Sequence, residues 1–283
     1  MNIEWDAEGY ASGFSFVPAY GADVLSLVDE GDGTGLAVDL GCGAGALTAG
    51  LAARGYRVLG VDDSPEMLAR ARAAHPELEF QHGNAVTFAL EEPADVIFSN
   101  AVFHWIDADR QQALACNLFS QLKPGGVLVA EFGGAGCAEA VHAALEASFV
   151  ERGLFFPRTF WFPTIGQYAP LLERAGFRVA YATLFDRPTP QGEGGLTGWI
   201  EMFLRVPFEG MAPQLKREIL GEVEERLRPW LYRDGCWYID YVRIRVKAVR
   251  PGADPNVGPG ANSGASSGPD SHLDAGDASN GAS

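Results

Sequence analysis

Residues 38–45, Val38-Asp39-Leu40-Gly41-Cys42-Gly43-Ala44-Gly45, change from an apolar run into a glycine-rich turn, and a helical pattern follows them. Glycine permits a tight turn and lets the backbone approach a ligand closely at the carboxyl edge of a sheet. The stretch therefore predicts a strand, a ligand-binding turn and a helix. Because Gly41, Gly43 and Ala46 also satisfy the relaxed dinucleotide pattern, the turn alone leaves the ligand open.

Two carboxylates near the turn bear on that choice. Asp39 lies in the strand end before Gly41, where it would repel a pyrophosphate and attract the ammonium group of a methionine moiety. Asp62 follows the next predicted strand, where a carboxylate can accept hydrogen bonds from both ribose hydroxyls of either cofactor. Asp39 therefore favours a nucleoside that carries an amino acid, while Asp62 or Asp63 could instead cap the following helix.

Short apolar runs alternate with helical segments from residue 36 onward, which is typical of βαβ units and a parallel sheet. The pattern predicts strands at 36–40, 57–61, 78–81, 96–99, 127–132, 177–185 and 237–249. It predicts helices at 46–54, 65–74, 108–121, 137–152, 196–205 and 213–228. Since the last two helices interrupt the end of the sheet, we expect them to cover a pocket or to pack as an appendage.

The composition argues against several classes of function. The formal net charge is -16 and no basic stripe offsets it, which disfavours a nucleic-acid substrate. The four cysteines lie far apart without a CxxC pair, so we expect no metal site, no disulfide framework and a cytoplasmic location. No secretory signal pattern and no apolar run of membrane-spanning length is found, so we expect no membrane partner.

Three motifs resemble those of the class I S-adenosylmethionine-dependent methyltransferases. They are residues 38–45, then Gly60-Val61-Asp62-Asp63-Ser64-Pro65-Glu66-Met67-Leu68, and Leu122-Lys123-Pro124-Gly125-Gly126 before the fifth strand. The similarity extends over residues 5–250. Within this superfamily the chain is similar to the trans-aconitate methyltransferase-like branch, through Phe98-Ser99-Asn100-Ala101-Val102-Phe103-His104-Trp105 and through residues 131–134 and 184–190.

The resemblance implies a fold and a division of the chain. The fold would be α/β and Rossmann-like: a seven-stranded, mostly parallel sheet with an antiparallel last strand, helices on both faces and a small helical cover. We expect an N-terminal lid and first helix at 1–35, a cofactor-binding core at 36–153 and the remaining sheet with its substrate cover at 154–250. Residues 251–283, rich in Gly, Pro, Ser, Asn and Asp, predict a disordered tail.

The resemblance also implies S-adenosyl-L-methionine as the cofactor, with S-adenosyl-L-homocysteine as its product. The implied cofactor-binding residues are Asp39, Gly41, Cys42, Gly43, Asp62, Asp63, Met67, Asn84, Ala85, Asn100, Ala101 and Tyr10. Where relatives often have Gly-Asp-Ala, this chain has Gly83-Asn84-Ala85. An asparagine can accept a hydrogen bond from the adenine amino group and donate one to a ring nitrogen, so we expect this contact to persist with altered strength.

In relatives a segment like residues 5–20 folds over the cofactor as a lid. That would bring Tyr10 to the cofactor and Phe14 to the substrate. Stacking of these aromatic residues in the core is the alternative interpretation.

His104 would fall just beyond the fourth strand, facing the transferred methyl group. It is the histidine placed to serve as a general base, although with Trp105 it could instead only shape the pocket wall. Methyl transfer from a sulfonium is an in-line displacement that needs no metal. A carboxylate acceptor, with a pKa of about 4, needs no base either, whereas a phenol or alcohol does.

A carboxylate acceptor would favour an arginine partner, because a guanidinium matches a carboxylate bidentately. Arg158, Arg187 and Arg205 lie in or near the predicted cover and are the candidates, although such residues more often form surface salt bridges. Trp161 and Tyr168 would add pocket wall or, equally, pack in the core.

The leading hypothesis is therefore a small-molecule methyltransferase that methylates a carboxylate, as in trans-aconitate, or a hydroxyl. A non-catalytic or regulatory protein that binds S-adenosylmethionine is a second hypothesis. A nicotinamide-dependent oxidoreductase is a third, which Asp39 disfavours.

Overall fold

The computed structural model describes residue 21 and residues 23–252. Its strands are β1 (Leu36–Leu40), β2 (Arg57–Asp62), β3 (Glu79–His82), β4 (Ala94–Asn100), β5 (Leu122–Gly133), β6 (Arg178–Asp186), β7 (Thr189–Pro190), β8 (Tyr232–Arg233), β9 (Cys236–Ile239) and β10 (Val242–Val249). Its helices after residue 35 are α1 (Ala46–Ala53), α2 (Pro65–Ala74), α3 (Gln111–Gln121), α4 (Glu139–Val150), α5 (Ile165–Ala175), α6 (Gly195–Phe203) and α7 (Pro213–Leu231). The expected lid residues Tyr10 and Phe14, and the expected tail from residue 253 onward, lie outside the described residues.

Seven strands form one sheet in the order β3-β2-β1-β4-β5-β10-β6. β1 pairs in parallel with β2 and β4, and β4 pairs in parallel with β5. β10 lies antiparallel between β5 and β6, with Arg243 opposite both Gly133 and Phe185. This confirms the Rossmann-like fold with its antiparallel last strand. The strand order reverses between β1 and β4, which leaves a crevice at their carboxyl ends.

Alternate residues of β1 face opposite sides of the sheet, and all of β1 is buried. Val38 packs in a cluster with Leu114 of α3 and Tyr168 of α5, whereas Ala37 packs in another cluster with Leu51 of α1. Helices therefore cover both faces, as expected, and the apolar run of β1 is that of a strand buried on both sides.

The segment expected as a helical cover contains α6 and α7 and, in addition, a three-stranded sheet in the order β7-β9-β8. The prediction of one continuous strand over 237–249 is wrong, since β9 ends at Ile239 and β10 begins at Val242. Asp240 interrupts it because its Oδ2 accepts a hydrogen bond from the backbone N–H of Ala140, at the start of α4, over 2.9 Å.

Helix α5 was not expected from the sequence. Thr164 and Gln167 form a capping box at its start, and Gly176, with a φ of 107°, ends it. Pro170 lies inside this helix, where proline normally disfavours one. Within the described ranges, no helix is long and apolar enough to cross a membrane.

Candidate active site

A cavity of about 400 Å³ lies at the carboxyl ends of β1, β2 and β4, where the strand order reverses. We call it the large cavity. Nine residues expected to bind the cofactor line it: Gly41, Gly43, Asp62, Asp63, Met67, Asn84, Ala85, Asn100 and Ala101. Trp105, expected on the substrate side, also lies on this wall.

The glycine turn forms the floor beside β1. Gly41 has a φ of 76°, and a Cβ built on it would lie 2.2 Å from Cγ2 of Val102, so glycine is required there. The N–H groups of Gly41 and Cys42 donate to the carbonyl of Val61 over 2.7 and 3.1 Å. The N–H of Gly43 donates to Asp62 Oδ2 over 2.8 Å. Because these three donors already have protein acceptors, they are not available to a pyrophosphate.

Asp62 lies where β2 ends, at the wall of the large cavity. Its Oδ2 accepts the hydrogen bond from Gly43, and its Oδ1 accepts one from the N–H of Ser64 over 2.9 Å. Burial raises the pKa of this carboxyl above its ordinary value, against these hydrogen bonds. A carboxylate has about four acceptor positions, so two remain, which is the number that a ribose diol needs.

Asp63 and Asn84 are hydrogen-bonded to each other on the adjacent part of the wall of the large cavity. Nδ2 of Asn84 donates to Asp63 Oδ2 over 2.9 Å, and Oδ1 of Asn84 accepts from the N–H of Val86 over 3.0 Å. An aspartate at position 84 would repel Asp63, so asparagine suits this neighbour. The amide of Asn84 keeps one donor and one acceptor position for a ligand.

Asp39 and Cys42 do not line the large cavity. Asp39 is almost fully buried, and the hydroxyl of Thr48 donates to its Oδ2 over 2.7 Å. Burial raises the pKa of Asp39 to about 7. Burial likewise raises the pKa of the Cys42 thiol. Asp39 therefore has a protein partner, and a direct contact with a ligand ammonium has no support in this geometry.

A second cavity, of about 50 Å³, adjoins the first and shares Ala101 and Trp105 with it. We call it the small cavity. Its other lining residues are His104, Cys137, Ala138, Phe160, Phe162, Trp199, Phe203, Tyr241 and Arg243. The wall is thus mainly aromatic, and it combines the end of β4 with the start of α4, helix α6 and the start of β10.

Backbone strain is concentrated at this cavity. Only three non-glycine residues with a positive φ occur among the described residues, namely Ala101, Ala138 and Asp234. Ala101 and Ala138 both line the small cavity, with φ of 63° and 52°. Their N–H groups donate to the carbonyls of Glu131 and Asp240 over 2.7 and 2.9 Å. Such strain persists only where the surroundings enforce it, which is typical of functional sites.

The proton on His104 has a defined position. The backbone N–H of Gly133 donates to His104 Nδ1 over 3.2 Å. Burial and the nearby charge of Arg243 hold the pKa of His104 well below its ordinary value, so the ring is neutral. A neutral ring that accepts at Nδ1 carries its proton at Nε2. His104 therefore offers the cavity a hydrogen-bond donor rather than a basic lone pair.

Arg243 was not among the residues that sequence reasoning selected. It lies half-buried in β10, with its guanidinium 4.4 Å from the ring centroid of Tyr241. All 21 Lys and Arg residues of the chain fall within residues 54–250, and Arg243 is the only one of them that lines the small cavity. Its signal in the sequence is a charged residue within a predicted strand, and this strand is paired on both sides in the sheet, where an unpaired charge is costly.

The arginines that the sequence suggested lie elsewhere. Arg158 forms a bidentate ion pair with Glu139, over 2.7 and 2.9 Å, at the exposed surface. Arg187 pairs with the buried Glu131, which also binds Arg245. Arg205 lies at the surface, 3.8 Å from Glu209. None of the three lines either cavity, so their expected contact with the substrate lacks support.

Trp161 and Tyr168 also lie away from both walls. Tyr168 is fully buried in the cluster beside the sheet, with Trp161 packed against that cluster. Burial raises the pKa of the Tyr168 hydroxyl. Core packing, the second of the two expected roles, accounts for both residues.

Comparison with known proteins adds independent findings. A family model described as a methyltransferase domain matches residues 38–130. The chain is 31% identical over 255 residues to an uncharacterized methyltransferase of Schizosaccharomyces pombe, covering 86% of this chain and 97% of that protein. It is 33% identical over 202 residues to a trans-aconitate 2-methyltransferase of Variovorax paradoxus, covering 67% of this chain and 76% of that one.

Among solved structures, the fold is similar to that of a Bacillus halodurans protein assigned as a methyltransferase. The TM-score is 0.58 at 18% identity, and the match covers 81% of this chain and 98% of that chain. At this identity the likeness shows the fold alone.

Proposed function

The chain belongs to the class I S-adenosylmethionine-dependent methyltransferases, and we propose that it methylates a carboxylate oxygen of a small-molecule acid. The observation that carries this proposal is the hydrogen bond from Gly133 to His104 Nδ1, which leaves the small cavity without a basic lone pair on this ring. A carboxylate is already ionised at neutral pH and needs no base.

The large cavity fits the cofactor. Asp62 has the two free acceptor positions that a ribose diol requires, and Gly41 and Gly43 remove side chains that would fill the floor. Asn84 would bind the adenine with its remaining donor and acceptor positions. Ala101, which the two cavities share, would lie at the point where cofactor and acceptor meet.

When bound, S-adenosylmethionine supplies a methyl group on a sulfonium, and the C–S bond breaks as the new C–O bond forms, with the electron pair left on sulfur. The chain contributes position and a dry environment. The aromatic wall of the small cavity excludes water, and the strained turn at Ala101 fixes the floor. The Nε2–H of His104 would hold one carboxylate oxygen while the other faces the methyl group.

Transfer to a phenol or alcohol would need a proton acceptor. The other titratable groups among the described residues of the small cavity are Cys137, Tyr241 and Arg243. Burial raises the pKa of Cys137, so it stays a thiol, and the Tyr241 hydroxyl accepts a hydrogen bond from the indole N–H of Trp199. These groups disfavour hydroxyl methylation. The similarity to trans-aconitate 2-methyltransferases agrees with an acid as acceptor.

A turnover assay with labelled S-adenosylmethionine tests the proposal against a panel of carboxylic acids, phenols and alcohols. We expect label transfer to acids only, and a kcat that stays level between about pH 6.5 and 8.5, because no group has to lose a proton for the reaction. Transfer to a phenol with a kcat that rises with pH would contradict it. Tight cofactor binding without transfer to any acceptor would favour the non-catalytic alternative.

A further inference from the structure

We propose that the acceptor carries a single carboxylate on an apolar body, and that Arg243 is the residue that selects it. This inference rests on the proposed function and narrows its substrate class. The trans-aconitate of the similar enzymes carries three carboxylates, so the inference separates this chain from them.

The supply of positive charge limits how many carboxylates the small cavity can hold. Every Lys and Arg of the chain lies within residues 54–250, so neither residues 1–20 nor residues 253–283 can add one. Among all of them only Arg243 lines the small cavity. Arg187 and Arg245 both bind the carboxylate of Glu131, and Arg110 lines the large cavity instead.

Arg243 is suited to bind an anion. No ion pair among the described residues includes it, and its guanidinium lies over the ring of Tyr241. A guanidinium stacked on an aromatic face keeps its edge N–H groups available for a carboxylate. His104 adds one neutral donor at Nε2, so one carboxylate finds both a charge and a hydrogen bond here.

The rest of the wall is apolar. The rings of Phe160 and Phe162 stack with centroids 5.3 Å apart, and Phe203 packs against Trp199 at 5.4 Å. A second or third carboxylate would lose its hydration against these rings, and no further cation on this wall would compensate its charge. Burial of such an uncompensated charge is strongly unfavourable. A flat or aliphatic body would instead bury apolar surface against them. The wall thus selects one charge and an apolar remainder.

The test compares two acids of six carbons with one double bond each, trans-2-hexenoate and trans-aconitate, using the full chain and saturating S-adenosylmethionine. Benzoate and trans-cinnamate widen the monocarboxylate set. We expect the best monocarboxylate to exceed trans-aconitate in kcat/KM by about tenfold or more. A preference for trans-aconitate would overturn this inference while leaving carboxyl methylation intact. Methylation of phenols but of no acid would instead overturn the proposed function.

Variants of Arg243 test whether this residue selects the monocarboxylate. Arg243→Gln should raise KM for the best monocarboxylate about tenfold to a hundredfold, the usual effect of a lost hydrogen bond to a charged group, with little change in the Kd of S-adenosylmethionine. Arg243→Lys should recover part of this loss. Arg158→Gln, which removes an exposed arginine paired with Glu139, should behave like the unmodified protein. An unchanged KM in a folded Arg243→Gln protein, shown by its cofactor affinity, would overturn the assignment.

Discussion

His104 receives a hydrogen bond at Nδ1 from the backbone of Gly133, and this single contact fixes which nitrogen carries the proton. The usual expectation for a histidine at the edge of an active site is a general base. Here burial keeps the ring neutral and the N–H of Gly133 occupies its lone pair. The hydrogen bond from Gly133 therefore leaves the His104 ring with an N–H donor, although the sequence suggested a general base.

A pair of His104 variants separates donor from base. In His104→Asn the amide oxygen can still accept from Gly133, so we expect kcat to fall by no more than about tenfold. In His104→Ala the buried N–H of Gly133 loses its partner, and we expect a loss of about 1–3 kcal/mol in the free energy of unfolding. Acid methylation rates and urea denaturation measure the two effects. Complete loss of turnover in a stable His104→Asn protein would indicate a base.

Asp39 makes stability depend on pH in a predictable direction. Its pKa is about 7 in the folded chain and 3.8 in its ordinary state, so between these values the unfolded chain gives up a proton that the folded chain keeps. Stability from this residue is therefore complete below 3.8 and is lost as the pH rises to about 7. Asp39→Asn cannot ionise, so it should gain stability relative to the unmodified protein by up to about 3 kcal/mol between pH 4.5 and 7.5.

Urea denaturation of the free protein at both pH values measures this difference. Asp109→Asn, at an exposed position, is the control and should follow the unmodified protein. A stability difference between Asp39→Asn and the unmodified protein that does not change with pH would contradict the buried, protonated state of Asp39.

Sequence motifs brought out residues whose backbone position a turn fixes, whereas they missed residues whose partners are distant in sequence. Gly41, Asp62 and Asn84, which were expected to bind the cofactor, all line the large cavity, because strand ends in a parallel sheet share one edge. Arg243 was missed because, apart from Tyr241, the residues that line the small cavity with it come from residues 101–203, and only the fold brings them together.

Among the elements, α5 shows what a local signal can and cannot reveal. Thr164 and Gln167 satisfy the capping-box spacing, so the start of the helix could have been predicted. Pro170 contradicts a helix interior by propensity, and the packing of Tyr168 and Leu172 into the core overrides it. The break at Asp240 had no such local signal, since its partner Ala140 lies 100 residues away.

The capping box of α5 can be tested directly. Thr164 Oγ1 accepts from the N–H of Gln167 over 3.2 Å, and Gln167 Oε1 accepts from the N–H of Thr164 over 2.9 Å. Thr164→Ala should cost about 1 kcal/mol and lower Tm by about 2–4 °C, without changing cofactor affinity. Thr87→Ala, at an exposed threonine, is the matched control. Equal Tm values for the two variants would show that the box does not stabilise the helix.

At the scale of the whole molecule, two cavities meet at Ala101, and each is built by different parts of the chain. The large cavity depends on the local turns after β1, β2 and β4. The small cavity needs α4, α6 and β10, which pack together in a separate cluster. This division explains why the cofactor could be predicted from motifs, while the residues of the small cavity could be identified only from the fold.

Cofactor binding should stabilise the whole fold. A ligand at a hundred times its Kd adds about 2.7 kcal/mol, so we expect S-adenosylmethionine to raise Tm by several degrees. Asp62→Asn should abolish most of that rise, because an amide cannot accept from Gly43, Ser64 and a ribose diol together. Asp63→Asn, whose amide oxygen can still accept the hydrogen bond from Asn84, should keep more of it. Equal rises in both variants would contradict the assignment of Asp62 to the ribose.

The central claim is tested most directly by identifying the atom of the product to which the transferred methyl group is bonded. After turnover with methyl-labelled S-adenosylmethionine and the best carboxylic acid acceptor, the product is treated with mild base and the label is followed. We predict a methyl ester, so the label is released as methanol. Label that stays on the product after base, as an ether, an amine or a carbon-bound methyl group, would contradict carboxyl methylation by this chain.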